Sequence, residues 1–231
     1  FTVIWYGTPH NPFKAADEDI RAFAHLDDQS RHHYGELVAM DRSIGTLRKG
    51  LRNLGIAENT LLWFCSDNGG LPKINPDTVG GLRGHKGTIY EGGLRVPAII
   101  EWPDRIPAAR VTRYPASVLD MLPTILEITS VAHPDPKRTL DGVSLVNLFT
   151  SQLNKRSKPI PFRHIGRAAW IDNGWKLLTN DLSSNEFELY DLHSDATESN
   201  DLSDERPEEY QRMKRQLLQW SRSVDMSFEV K

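Results

Sequence analysis

Only one cysteine, Cys65, occurs in the 231 residues, which excludes an intrachain disulfide and any multi-cysteine metal site but leaves the redox compartment open. No apolar run approaches the ~20 residues that a membrane-spanning helix requires. The first residues also lack the basic, apolar, small-residue succession of a signal peptide. Neither sign of charge dominates: 28 basic residues stand against 31 acidic ones, a net charge of -3. A non-specific electrostatic grip on nucleic acid is therefore not expected, and any bound anion has to be held by local residues. There is no internal repeat and no low-complexity tract. With 39% hydrophobic and 26% charged residues, the composition is that of a globular protein with one large domain or two unequal ones.

Phe1 to Tyr6 is an apolar, β-branched and aromatic run, and it predicts a strand buried on both faces, as in a parallel sheet. Such a strand has no preceding crossover here, so the chain is expected to be the C-terminal part of something longer. The loop Gly7 to Pro12, which contains His10, leaves its end. Tyr34, Leu37, Val38, Ile44, Leu47, Leu51 and Leu54 recur at helical spacing and predict a crossover helix over residues 28–54 with one buried stripe, closed by Gly55. Strands are expected at residues 60–65 and 97–102, and a helix at residues 117–129 with a kink or break at Pro123. Strand, helix, strand, loop, strand is the order of a right-handed α/β sheet. Residues 134–161 turn to Pro, Lys, Ser and Asp, as in a linker or a surface excursion. Beyond them, Asn173-Gly174 between two short apolar runs predicts a hairpin of residues 167–171 and 175–179. Residues 187–192 add a strand, and a helix starts near Pro207 with Tyr210, Met213, Leu217 and Trp220 on one face. The reading is an α/β chain: a partial parallel-sheet core over residues 1–133, a connecting segment over 134–165, and a small α+β subdomain over 166–231 with antiparallel strands and a terminal helix.

Ligands of open parallel sheets bind beyond the carboxyl ends of the strands. Asp67 and Asn68 sit there on a Gly-Gly turn, where their oxygens can meet a hard cation; the same four residues also make an ordinary turn. Gly84-His85-Lys86-Gly87-Thr88 is not a phosphate-binding P-loop, because Gly87 separates Lys86 from Thr88. Lys86 can face a tetrahedral anion or stand solvated on its loop. His10 can donate to an anionic oxygen or protonate a leaving group near neutral pH, or can be satisfied by a backbone carbonyl. His25, His32 and His33 read as surface residues, since the adjacent pair cannot face one ligand on a helix. Cys65 ends a buried strand and reads as a small core residue.

Taken in order, these segments carry more than each does singly. Pro9-His10, Ser66-Asp67-Asn68-Gly69-Gly70, Leu82-Arg83-Gly84, Lys86-Gly87-Thr88, Glu91-Gly92-Gly93 with Arg95-Val96-Pro97, Asp120 with Leu122-Pro123-Thr124, and Leu140 to Ser144 together resemble the second half of a type I sulfatase, of the alkaline phosphatase superfamily. The resemblance runs on through Asp172 to Leu177 and Glu188 to Leu192 to Asp201-Leu202. It implies hydrolysis of sulfate esters, aryl or carbohydrate, with Asp67 and Asn68 as metal ligands, usually to Ca²⁺ with Mg²⁺ as the other option. It further implies that His10 contacts the sulfate ester and that Lys86 holds a sulfate oxygen. The family's nucleophile is a formylglycine made from Cys or Ser in a Cys/Ser-x-Pro-x-Arg signature. That signature is absent here, as is the family's early aspartate pair, so both are expected in a missing N-terminal part, and this chain alone is expected to bind metal poorly and to be inactive. A nucleophile-free binding or structural module, or a phosphate or phosphonate ester hydrolase of the same superfamily, are the alternatives. No nucleic acid or membrane partner is implied, and the parent protein is expected to be periplasmic or secreted.

Overall fold

The structure, a computed structural model, describes residues 1–135, 137 and 139–229. Its elements are α1 (Asp17–Ile20), α2 (Asp28–Asn53), β1 (Leu62–Cys65), α3 (Glu91–Leu94), β2 (Ala98–Glu101), α4 (Met121–Thr129), β3 (Ile160–His164), β4 (Arg167–Asp172), β5 (Trp175–Thr179), β6 (Glu188–Asp191) and α5 (Pro207–Glu229), with short 3₁₀ turns between some of them. This is an α/β chain whose C-terminal portion is an antiparallel sheet with a terminal helix. Residues 136 and 138 of the expected connecting segment lie outside the described residues. No helix among the described residues is long and apolar enough to cross a membrane.

Helix α2 begins where Asp27 Oδ1 accepts the Ser30 N–H at 3.0 Å. It ends in a Schellman motif: the Gly55 N–H donates to Arg52 O and the Ile56 N–H to Leu51 O, with Gly55 at φ 68°. The expected apolar stripe is only half-buried, and Val38 and Leu54 are exposed, because α1 and the 3₁₀ turn after it are the elements packed most closely on this helix. His33 corrects the surface reading of the histidines: it is 4% exposed and packs edge-on against Phe13 and Tyr34. His32 is half-buried and accepts the Ala15 N–H through Nδ1.

Three expectations for the first part are corrected. Phe1 to Tyr6 forms no strand; Phe1 and Trp5 are 100% and 92% exposed, since no strand among the described residues lies beside them to complete a ladder. Strands β1 and β2 pair antiparallel, Leu62 opposite Glu101 and Cys65 opposite Ala98, where a parallel pair was expected. The chain between them holds the four-residue α3 and no crossover helix, so it returns in the opposite sense. Pro123 neither kinks nor breaks α4, because it occupies the first turn, where a backbone N–H has no helical partner anyway. The entry to that helix is fixed by a capping box in which the Ser117 and Asp120 side chains each bond the other's end of the turn.

The four-stranded sheet has the order β3-β4-β5-β6, all antiparallel. Asn173 and Gly174 form the β4–β5 turn as expected, but only Asn173 has a positive φ, 59°. Gly174 is needed for space, since a Cβ there would fall 2.0 Å from the His193 ring. Strand β3 lies inside the segment read as a connector, disguised by Pro161 within it and Pro159 just before it; it is an edge strand, the position where proline is tolerated. Successive residues of β4 and β5 point to opposite faces, and both faces are covered. Ala168, Trp170, Leu177 and Leu189 meet Met213 and Leu217 of α5, while Ala169, Leu178 and Tyr190 meet Ile89. The second face thereby packs directly on the glycine-rich segment that leads into α3.

Candidate active site

Strand β1 delivers the chain into Ser66, whose N–H bonds Pro97 O and whose hydroxyl donates to Asn68 O at 2.9 Å, folding Asp67 and Asn68 into a tight turn. The turn is stitched to the second glycine-rich segment by two backbone bonds: Gly69 N–H to Gly93 O at 2.9 Å and Lys86 N–H to Gly70 O at 2.8 Å. The layers lie so close that a Cβ on Gly69 would stand 1.8 Å from Gly92 O. Glycine is required there for approach rather than for φ. Lys86 itself sits on a turn closed by reciprocal bonds between His85 and Thr88, whose hydroxyl donates to His85 O at 2.8 Å and accepts the His85 N–H at 3.1 Å. Arg167 Nη1 holds the far side of this turn by donating to Gly87 O at 2.6 Å.

The structure thus places Asp67, Asn68 and Lys86 on two adjoining turns. Asp67 is exposed, and Asn68 and Lys86 are half-buried. Among the described residues, none of the three side chains makes a hydrogen bond or ion pair. His10 is on a separate exposed loop, and no described contact joins it to the other three. Its Nδ1 lies 2.9 Å from Asn11 O. A carbonyl only accepts, so Nδ1 carries the hydrogen and Nε2 is left outward, an acceptor when the ring is neutral and a donor when it is protonated. The loop after it is pinned to α2 by Lys14 N–H donating to Glu36 Oε1 at 2.8 Å.

A hard divalent cation collects about 6–8 oxygen ligands. The unbonded Asp67 carboxylate and the neighbouring Asn68 amide oxygen have the right chemistry and make up part of such a shell. The described residues contain no cluster of three or more His, Cys, Asp or Glu that could hold a metal. Cys65 does not fit a nucleophile: burial, and then the Asp67 charge, push its thiol above the ordinary range.

Sequence reasoning assigned no role to the groups that support this site. Lys176 is fully buried between Trp175 and Leu177, and an ionisable residue inside an apolar strand was the signal available for it. Arg83 lies over the Tyr90 ring, 3.9 Å from its centroid, and donates to the Tyr190 hydroxyl and Glu198 O, both at 2.9 Å. Burial and the adjoining Glu188 carboxylate raise the Tyr190 phenol far above its usual range, so it stays neutral.

The family model "Sulfatase" matches residues 1–131, and "N-sulphoglucosamine sulphohydrolase, C-terminal" matches residues 84–223. N-acetylgalactosamine-6-sulfatase of Canis lupus familiaris is 40% identical over 126 residues, covering 52% of this chain and 24% of that protein. A sulfatase of Formosa agariphila is 33% identical over 211 residues, 77% of this chain and 37% of its own. The crystal structure of Ps i-CgsB in complex with k-i-k-neocarrahexaose superposes with a TM-score of 0.83 at 30% identity, over 93% of this chain and 48% of that one. The chain therefore spans between a quarter and a half of the length of the relatives it matches.

Proposed function

The chain belongs to the sulfatase family, and we propose that Asp67, Asn68, Lys86 and His10 are its share of a site that hydrolyses sulfate esters of carbohydrates. The observation that supports this reading is the Lys86 N–H to Gly70 O bond, which joins the backbone of the Lys86 turn to the turn that bears Asp67 and Asn68. The carbohydrate class is supported by the neocarrahexaose complex of the 30% identical structure.

Each residue then has a definite task. Lys86, held by its turn at both ends, donates to a non-bridging sulfate oxygen and offsets the negative charge that the sulfuryl group carries through the transition state. His10, with Nδ1 committed to Asn11 O, presents Nε2–H when protonated and can hand that proton to the departing alcohol oxygen. Asp67 and Asn68 would hold one side of a divalent cation, Ca²⁺ by preference for oxygen ligands. Such an ion, when bound, draws charge from the sulfate oxygens as a Lewis acid. The nucleophile is assigned to residues outside these 231, since no Cys/Ser-x-Pro-x-Arg occurs among them.

The test is a rate comparison of sulfate, phosphate and phosphonate esters by the protein carrying the complete site, with and without chelator. Faster turnover of the sulfate ester, lost on chelation and restored by Ca²⁺, is expected. Faster turnover of a phosphorus ester transfers the site to that chemistry. No turnover by the folded, metal-loaded protein makes it a binding module.

A further inference from the structure

Lys176 stands in the middle of β5 with 0% exposure. A lone ammonium in such surroundings is very costly, so its partners are informative. Its Nζ donates to Glu91 Oε1 at 2.9 Å and lies 2.8 Å from Glu198 Oε1, outside hydrogen-bond alignment, so that oxygen has no hydrogen bond. The other Glu198 oxygen accepts the Glu91 N–H at 2.6 Å. The three residues form a closed buried ring drawn from three places: the sheet, the loop after β6, and the first residue of α3.

Glu91 is the member that touches the site. The residue after it, Gly92, donates to Arg83 O at 2.7 Å, and Gly93 O receives the Gly69 N–H at 2.9 Å. The Lys86 turn and the Asp67–Gly70 turn both hang from this short stretch. Buried ion clusters contribute little net stability compared with apolar residues of the same volume, whereas a fixed set of directional bonds selects one position of the backbone.

We infer that Lys176 is a positioning residue for the sulfate-ester site, gripping Glu91, with Glu198 as the second anchor, so that the C-terminal sheet sets where Lys86 and the Asp67–Asn68 turn stand relative to each other. This rests on the reading of Lys86 given above. It assigns to the C-terminal portion a part in the chemistry apart from any contact with the leaving group.

Amide hydrogen exchange in the whole protein tests it without any substrate. The Lys86 and Gly69 amides report on the two turns, and the amides of the β4–β5 ladder report on the sheet. Lys176→Met is expected to speed exchange at the two turn amides by about tenfold more than in the ladder, as a local opening would. An equal rise in both, or none in either, overturns the inference. Glu91→Gln keeps the shape of the side chain and serves as the second variant, with the same pattern expected; failure of both variants to fold also overturns it, because the cluster would then carry the fold rather than the turns. A double-mutant cycle on kcat/KM adds the functional arm. Lys176→Met is expected to lower kcat/KM about tenfold when Lys86 is present and by less than about threefold in the Lys86→Ala background, since coupled residues are not additive. Equal losses in both backgrounds overturn the positioning role. If Lys86→Ala alone leaves activity intact, it is the sulfate reading that fails, and the exchange data still decide the inference.

Discussion

Arg156 and Asp120 are both completely buried and face each other in a bidentate pair, both bonds at 2.7 Å. Asp120 also accepts the Ser117 and Val143 N–H groups, while the Arg156 N–H bonds Asn173 at the hairpin turn. One arginine thus joins the end of the first part to the sheet. Arg156→Ala leaves a buried carboxylate uncompensated and is expected to cost about 3–5 kcal/mol in urea unfolding. Glu198 gives a pH signature. Burial, and to a smaller extent the Glu91 carboxylate, raise its pKa above the ordinary value of 4.5 against the opposing pull of the Lys176 ammonium. The native state then holds a proton that the unfolded chain has released, so stability falls as pH rises from about 4.5 through the folded value. The groups facing it are Lys176, Glu91 and, at its carbonyl, Arg83. Glu198→Gln is expected to flatten that part of the stability–pH curve; an unchanged slope contradicts the assignment. Neither residue could be read in advance. Arg156 sits in a stretch composed like a linker, and Glu198 in a polar loop, and only the folded chain shows that both are enclosed.

At the scale of elements, what could be read was whatever is decided locally. The α2 cap at Gly55, the Asn173–Gly174 hairpin and the apolar face of α5 follow from short-range rules, and each is where the sequence put it. The elements that were missed depend on distant partners. Phe1 to Tyr6 has strand composition but no neighbouring strand among the described residues, and the direction of β2 against β1 is set by a connection with no crossover helix. In the candidate site, residue chemistry offered the Asp67–Asn68 pair and Lys86 as separate suggestions that only the family resemblance joined; their adjacency depends on glycine-to-backbone contacts that no spacing rule reveals. Gly69→Ala tests that adjacency: a Cβ 1.8 Å from Gly92 O has to push the two turns apart. A loss of about 1–3 kcal/mol is expected on thermal or urea unfolding, of the size that overpacking brings, with the Lys86 amide deprotected first. Met213→Ala probes the other seam, where Met213 is 0% exposed between α5 and the sheet, and about 2–5 kcal/mol is expected there with the site amides unaffected.

For the molecule as a whole, the sheet acts as a partition with α5 sealing one face and the site-bearing segment leaning on the other. The proposed function requires this segment to hold an anion-binding cation and a pair of metal-directed oxygens at one place. Its most direct test is kcat/KM for a sulfated carbohydrate in the protein with the complete site, comparing wild type with Lys86→Ala and with His10→Ala. Loss of one preorganised donor to a developing oxyanion typically costs about 10²–10³ in rate, and a fall of that size for Lys86→Ala, with a smaller but clear fall for His10→Ala and unchanged melting of both, is the expected result. Rates within about twofold of wild type in both variants would contradict the claim, since they lie far below the effect of removing such a donor.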